Sequence, residues 1–109
     1  TNKQERLAVD LLKKLNMYEY FEYTAGSDTF DYNKPDPRHL TNVVEIIGGN
    51  LNKTIMIGDS EVDALSADNA KLPFVLVENG YTEKTTNEIK HNLLIKNFIN
   101  FEEKIKKYL

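Results

Sequence analysis

No cysteine occurs in the 109 residues, so neither a disulfide nor a thiolate metal site can form, and the redox compartment is left open. A basic stripe is also missing. Fourteen Lys and Arg against seventeen Asp and Glu leave a net charge of −3, which argues against nucleic acid as the main partner. No apolar run approaches the roughly 18 residues of a membrane helix, and no signal-peptide pattern opens the chain. No membrane partner is expected, and a cytoplasmic protein is the default. With only three prolines and five glycines, no internal repeat and no low-complexity linker, the chain reads as one domain or part of one. Its 40% hydrophobic and 28% charged residues are ordinary for a globular protein with a modest core.

Helix and strand patterns alternate. "TNKQERLAVDLLKKL" enters a helix almost at once, with Leu7, Ala8, Leu11, Leu12 and Leu15 on one face. "YEYFEYTAG" alternates through Phe21, Tyr23 and Ala25 and predicts a strand. The polar "SDTFDYNKPDP", with two prolines, predicts a loop. The next helix begins near Asp36-Pro37, shows Leu40, Val43, Val44 and Ile47 on one face, and ends at Gly48-Gly49. "TIMIG" is the short continuous apolar run of a strand buried on both faces. A helix over residues 61–70 follows, with Val62, Leu65 and Ala70 expected to face inward. "PFVLV" predicts a second buried strand, "ENGYTEKT" a loop and "NLLI" a last short strand. "NFINFEEKIKKYL" predicts a closing helix with Phe98, Phe101, Ile105 and Tyr108 on one face. The fold class is α/β, a parallel sheet flanked by helices.

"TIMIGDSEVDAL" poses the functional question: a carboxylate, Asp59, closes a buried strand, and a second, Asp63, follows four residues on. A structural answer exists. Ser60 can act as an N-cap and Asp63 can complete a capping box in place of the usual Glu or Gln, and both acids suit a helix dipole. A functional answer exists as well, because open α/β sheets bind ligands beyond the carboxyl ends of their strands. Thr1-Asn2 before the first helix, Lys34 in its loop, and the Asp59/Asp63 pair would open on that same edge. A hydroxyl, an ammonium and carboxylates can together hold a phosphate and Mg²⁺, which takes one or two carboxylates, water and substrate oxygens. Pro35 limits where the Lys34 backbone can go.

On these residues the chain resembles the C-terminal half of a haloacid-dehalogenase-superfamily phosphatase, most like the phosphoglycolate phosphatase branch. The resemblance rests on Thr1-Asn2-Lys3, on Lys34-Pro35-Asp36-Pro37, on Gly58-Asp59-Ser60-Glu61-Val62-Asp63, and on "AGSDTFDYNKP" and "NGYTE". It implies a single C-terminal portion, residues 1–109, of a Rossmann-like hydrolase core domain, and a Mg²⁺-dependent hydrolysis of a small phosphorylated metabolite. It implies that Thr1, with the Asn2 backbone, binds the transferring phosphate. Lys34 would neutralise phosphate and nucleophile, Asp59 would ligate Mg²⁺, and Asp63 would bind the ion's water or orient Lys34. The family's Asp-x-Asp-x-Thr segment, which supplies its nucleophile, does not occur in these residues, and the substrate-selecting cap is not recognisable. The implied sheet would lack two central strands, so the chain is expected to depend on a missing half, to self-associate, or to close the gap by pairing its own strands.

Other assignments are open for these residues. A receiver-type signalling domain also joins Asp, Thr and Lys around Mg²⁺, but with the acidic pair first and Lys last, the reverse of the order here. A non-catalytic interaction module derived from half a phosphatase is the second rival. Asp28 and Asp31 read as turn residues, His39 and His91 as surface histidines without metal spacing, and the Tyr18–Tyr23 aromatics as core and edge packing.

Overall fold

The computed structural model describes residues 1–78 and 84–109. Its elements run α1 (Glu5–Lys14), α2 (Arg38–Ile46), β1 (Met56–Gly58), α3 (Glu61–Asn69), β2 (Phe74–Val77), β3 (Leu93–Ile95) and α4 (Phe101–Ile105), with short 3-10 turns between and after them. The three strands form a parallel sheet in the order β1-β2-β3. Met56 pairs with Phe74 and Gly58 with Leu76, and Val75 pairs with Leu93 and Val77 with Ile95. The α/β class expected from the alternating patterns is borne out. The expected loop over 78–85 falls largely on residues 79–83, outside the described residues.

The core sits between α3 and the sheet: Ala64, Ala67, Leu72, Phe74, Leu76 and Ile89, with Leu40 of α2 and Met56 packed against them. Of the expected inner face of this helix, Ala70 does pack against the core, but Val62 and Leu65 do not face it. Val62 is 36% and Leu65 49% exposed, whereas Asp63, Ala64, Ser66 and Ala67 are buried. The reason lies at the helix start. The Ser60–Asp63 capping box sets the rotation of α3, and the residues at 64 and 67 then share the inner face with Asp63. Their small side chains let the helix lie close to the sheet, an option that bulk hydropathy does not reveal.

Other expectations are corrected by what the chain has available to pair with. The strand expected at 21–25 is not formed; Phe21 is extended, but extended backbone becomes a strand only through a ladder neighbour. Thr1 N donates to Ala25 O at 2.9 Å and Ser27 N to Lys3 O at 2.9 Å, and no strand pairs with the segment among the described residues. Nor does the segment pair with β1, so the chain does not close the gap with its own strands. Tyr20 is 77% exposed and Phe21 is exposed, against the expectation of core packing. The closing helix begins only at Phe101 because Asn100 is left-handed (φ 55°), and Phe98 is left exposed before it.

Candidate functional site

Three loops converge at the carboxyl end of β1. Gly58 ends the strand because nothing larger fits: a Cβ there would lie 2.6 Å from Asp63 Oδ2. That close approach lets Asp63, on the first turn of α3, fold back over the strand end. Its Oδ2 accepts from the Asp59 N–H at 3.1 Å, the Ser60 N–H at 3.2 Å and the Ser60 hydroxyl at 2.8 Å. Its Oδ1 forms an ion pair with Lys34 Nζ, the two side chains being only 7% and 14% exposed. Burial pushes the Asp63 carboxyl up, but the Lys34 hydrogen bond and charge, then Ser60 and the Asp59 amide, hold it below the usual carboxylate range. The capping role and the ion pair are therefore one arrangement: one oxygen serves the helix start and the other the lysine.

Lys34 is tied in turn to the first loop. Asn2 Nδ2 donates to Lys34 O at 2.9 Å, and the Lys34 N–H donates to Asn2 Oδ1 at 3.2 Å. Those two bonds set the Thr1-Asn2 segment beside the Lys34 backbone. The Thr1 hydroxyl accepts from Lys3 N at 3.2 Å. Thr1, Asn2, Lys34, Asp59 and Asp63, singled out from the sequence, are brought together at one edge of the sheet.

Asp59 has an exposed side chain. A carboxylate at a strand end, beside a second one held in place, fits the one or two carboxylates that Mg²⁺ takes while water and phosphate fill its remaining positions. Of the two carboxylates, Asp59 is the one that could reach a metal directly, since both Asp63 oxygens already have partners. Among the described residues, no group of three or more His, Cys, Asp or Glu is placed to hold a metal.

The geometry also gives residues tasks that sequence reasoning did not. Asp28 accepts from the Glu5 N–H at 2.8 Å and caps α1 from a distant loop, a service the preceding Gln4 does not perform with its own side chain. Glu5 is in addition hydrogen-bonded to Thr29. Asn69, at the far end of α3, donates to Pro35 O at 3.2 Å. No local signal could reveal either partnership, because the partners lie 23 and 34 residues apart. His39, expected at the surface, is 2% exposed; it packs edge-on against Phe30 with ring centroids 5.6 Å apart, its Nδ1 3.4 Å from Tyr32 O.

Residues 1–77 match the haloacid dehalogenase-like hydrolase family. The chain belongs to that family. Relatives of this chain include the phosphoglycolate phosphatase of Mesorhizobium japonicum, 39% identical over 90% of the chain and 43% of the relative. That of Agrobacterium fabrum is 43% identical over 90% of the chain and 42% of the relative. Among solved structures, a predicted phosphoglycolate phosphatase of Haemophilus somnus superposes with a TM-score of 0.89, covering 97% of this chain and 48% of that one at 20% identity. A haloacid-dehalogenase-superfamily hydrolase of Geobacter sulfurreducens gives a TM-score of 0.79 at 24% identity, covering 94% and 49%. At those identities the structural likeness speaks for the fold alone. The chain spans less than half the length of the curated relatives it matches.

Proposed function

We propose that this hydrolase chain is the phosphate- and metal-gripping portion of a phosphatase for a small phosphomonoester, with 2-phosphoglycolate the first candidate. The observation that carries the reading is the buried Lys34–Asp63 ion pair at the strand end, joined to the Thr1 loop through Asn2. The names of the relatives supply the candidate substrate. In this reading the Thr1 hydroxyl and the Asn2 backbone bind the phosphate oxygens. Lys34 lies against the charge that develops as the phosphoryl group moves; at about 4 Å and an effective dielectric near 20 such an attraction is worth roughly 4 kcal/mol gross. Asp63 holds the ammonium in place through the ion pair. Asp59, with Asp63 behind it, would hold Mg²⁺, whose charge offsets repulsion between a phosphate dianion and the carboxylates. The nucleophilic carboxylate would come from outside these 109 residues, as would the cap that selects the substrate. The other half of the fold, supplied by a longer chain or by a partner, is part of the proposal.

Phosphate release from phosphoglycolate and from an aryl phosphate, with and without Mg²⁺, tests it. The chain alone should be inactive, because covalent catalysis disappears with its nucleophile. The family-length protein should turn over, and Lys34→Ala should lower kcat by about 100-fold or more. Normal turnover in Lys34→Ala would end this reading. The absence of an Asp-x-Asp-x-Thr segment favours a second reading, a non-catalytic interaction module; an inactive family-length protein would select it.

A further inference from the structure

Lys34 stands in a loop, where neither a helix nor a ladder satisfies its backbone groups. A single side chain does so instead. The Asn2 carboxamide meets both the Lys34 N–H, at 3.2 Å, and the Lys34 carbonyl, at 2.9 Å, repeating with a side chain the two-bond exchange between paired strand residues. On the next residue, Asn69 Nδ2 grips Pro35 O at 3.2 Å. The dipeptide is thus held from two elements, the loop before α1 and the end of α3, while its ammonium reaches the first turn of α3 at Asp63.

We propose that Asn2 is a positioning residue for Lys34, and Asn69 a weaker second one: their carboxamides fix the backbone from which the lysine stem departs. The inference rests on the proposed phosphatase reading for its catalytic consequence, and on geometry alone for the clasp. A lysine stem carries four rotatable bonds and large rotamer entropy, so an ion pair at its tip does not by itself set where the backbone sits. Fixing both ends leaves the ammonium one place to be. An asparagine suits the task because it offers one donor and one acceptor in a plane; alanine offers neither, and aspartate loses the donor to Lys34 O.

The test uses the family-length protein with Asn2→Ala, Asn69→Ala, Lys34→Ala and the Asn2→Ala/Lys34→Ala double variant. Amide hydrogen exchange, followed by NMR, reads the clasp whatever the activity. Exchange at Lys34 should accelerate by about 10-fold or more in Asn2→Ala while the amides of β2 keep their protection. Steady-state kinetics read positioning: Asn2→Ala should lower kcat about 10-fold with KM within about twofold, as a small misplacement of a catalytic group does. Asn69→Ala should do so by less. In the Lys34→Ala background, Asn2→Ala should cost nothing further, because residues acting through one another are not additive. Unchanged exchange at Lys34 would overturn the clasp. Faster exchange with fully additive kinetic losses would overturn positioning through Lys34. A fully active Lys34→Ala would remove the phosphatase reading instead, and the exchange experiment would still decide the clasp.

Discussion

His39 shows how one side chain couples the fold to pH. Burial lowers its pKa, against the opposing contact with the Tyr32 carbonyl, so the folded chain takes up a proton there less readily than the unfolded one. In the unfolded chain it titrates near 6.5. Below that value the unfolded state binds a proton that the folded state refuses, so this group's effect is absent above pH 6.5 and removes stability as pH falls toward the folded pKa. Denaturant midpoints measured from about pH 8 down to 5 should fall, and His39→Leu should flatten that slope; an unchanged slope would exclude His39 as its source. Ser66 predicts the opposite sign for a substitution. It is wholly buried on the inner face of α3, and its hydroxyl has no hydrogen-bond partner among the described residues. Ser66→Ala removes an unsatisfied polar atom and improves helix propensity, so it should raise unfolding free energy by about 1 kcal/mol in urea titrations. A loss of stability would show that the hydroxyl is satisfied in solution.

Helix α1 depends on a loop it does not adjoin. With Asp28 accepting from Glu5 N, the helix start, and the Thr1-Asn2 loop just before it, are anchored to the segment that follows Ala25. A Cβ on Gly26 would fall against the Gln4–Glu5 backbone, 2.7 Å from Gln4 C, so the two segments are pressed together. Asp28→Ala should cost about 1 kcal/mol, the usual worth of an N-cap, and should loosen α1 before it loosens the sheet. Residue-resolved hydrogen exchange separates the two; equal loss of protection in α1 and β2 would contradict this division. On α1 and at its C-cap, Leu7, Leu11 and Leu15 are 46%, 47% and 56% exposed, although the helix was recognisable from their spacing. A cavity of about 270 Å³ lies between this helix and residues 21–24, lined by Ala8, Leu11, Leu12, Phe21 and Tyr23 among others.

At the scale of the molecule, the apolar surface and the sheet edge go together. β1 pairs only with β2 among the described residues, Ile57 on it is 38% exposed, and segment 21–25 is in no ladder. Each fully covered Leu or Ile is worth about 1.5–3 kcal/mol, so covering even a few half-exposed ones rivals the roughly 5–15 kcal/mol stability of a domain. Unpaired edges also invite association. The chain alone should therefore sediment above the mass of one chain as concentration rises, and its thermal melt should sharpen when the rest of the family-length fold is supplied. A single-chain species at every concentration, with a cooperative melt, would refute this.

The sequence alone determined most of the elements and singled out the residues of the candidate site. Period and turn chemistry are local, so α1, α2, α3 and the three strands could be read from their own residues. The Thr1-Asn2, Lys34 and Asp59/Asp63 segments could be read from their motifs. What only the tertiary structure decided were the partners. Ser60 and Asp63 turned Ala64 and Ala67 inward and left Val62 and Leu65 outside. The aromatics at 21–23 formed no strand, because a strand is a relation to a neighbour and none is paired with them. His39 went inside because Phe30 and the Tyr32 carbonyl make a place for it, and Asp28, Asn2 and Asn69 acquired tasks from residues 23 to 34 positions away. Hydrogen-bond partnership at that separation depends on how the elements pack, and packing is fixed only when the whole chain has folded.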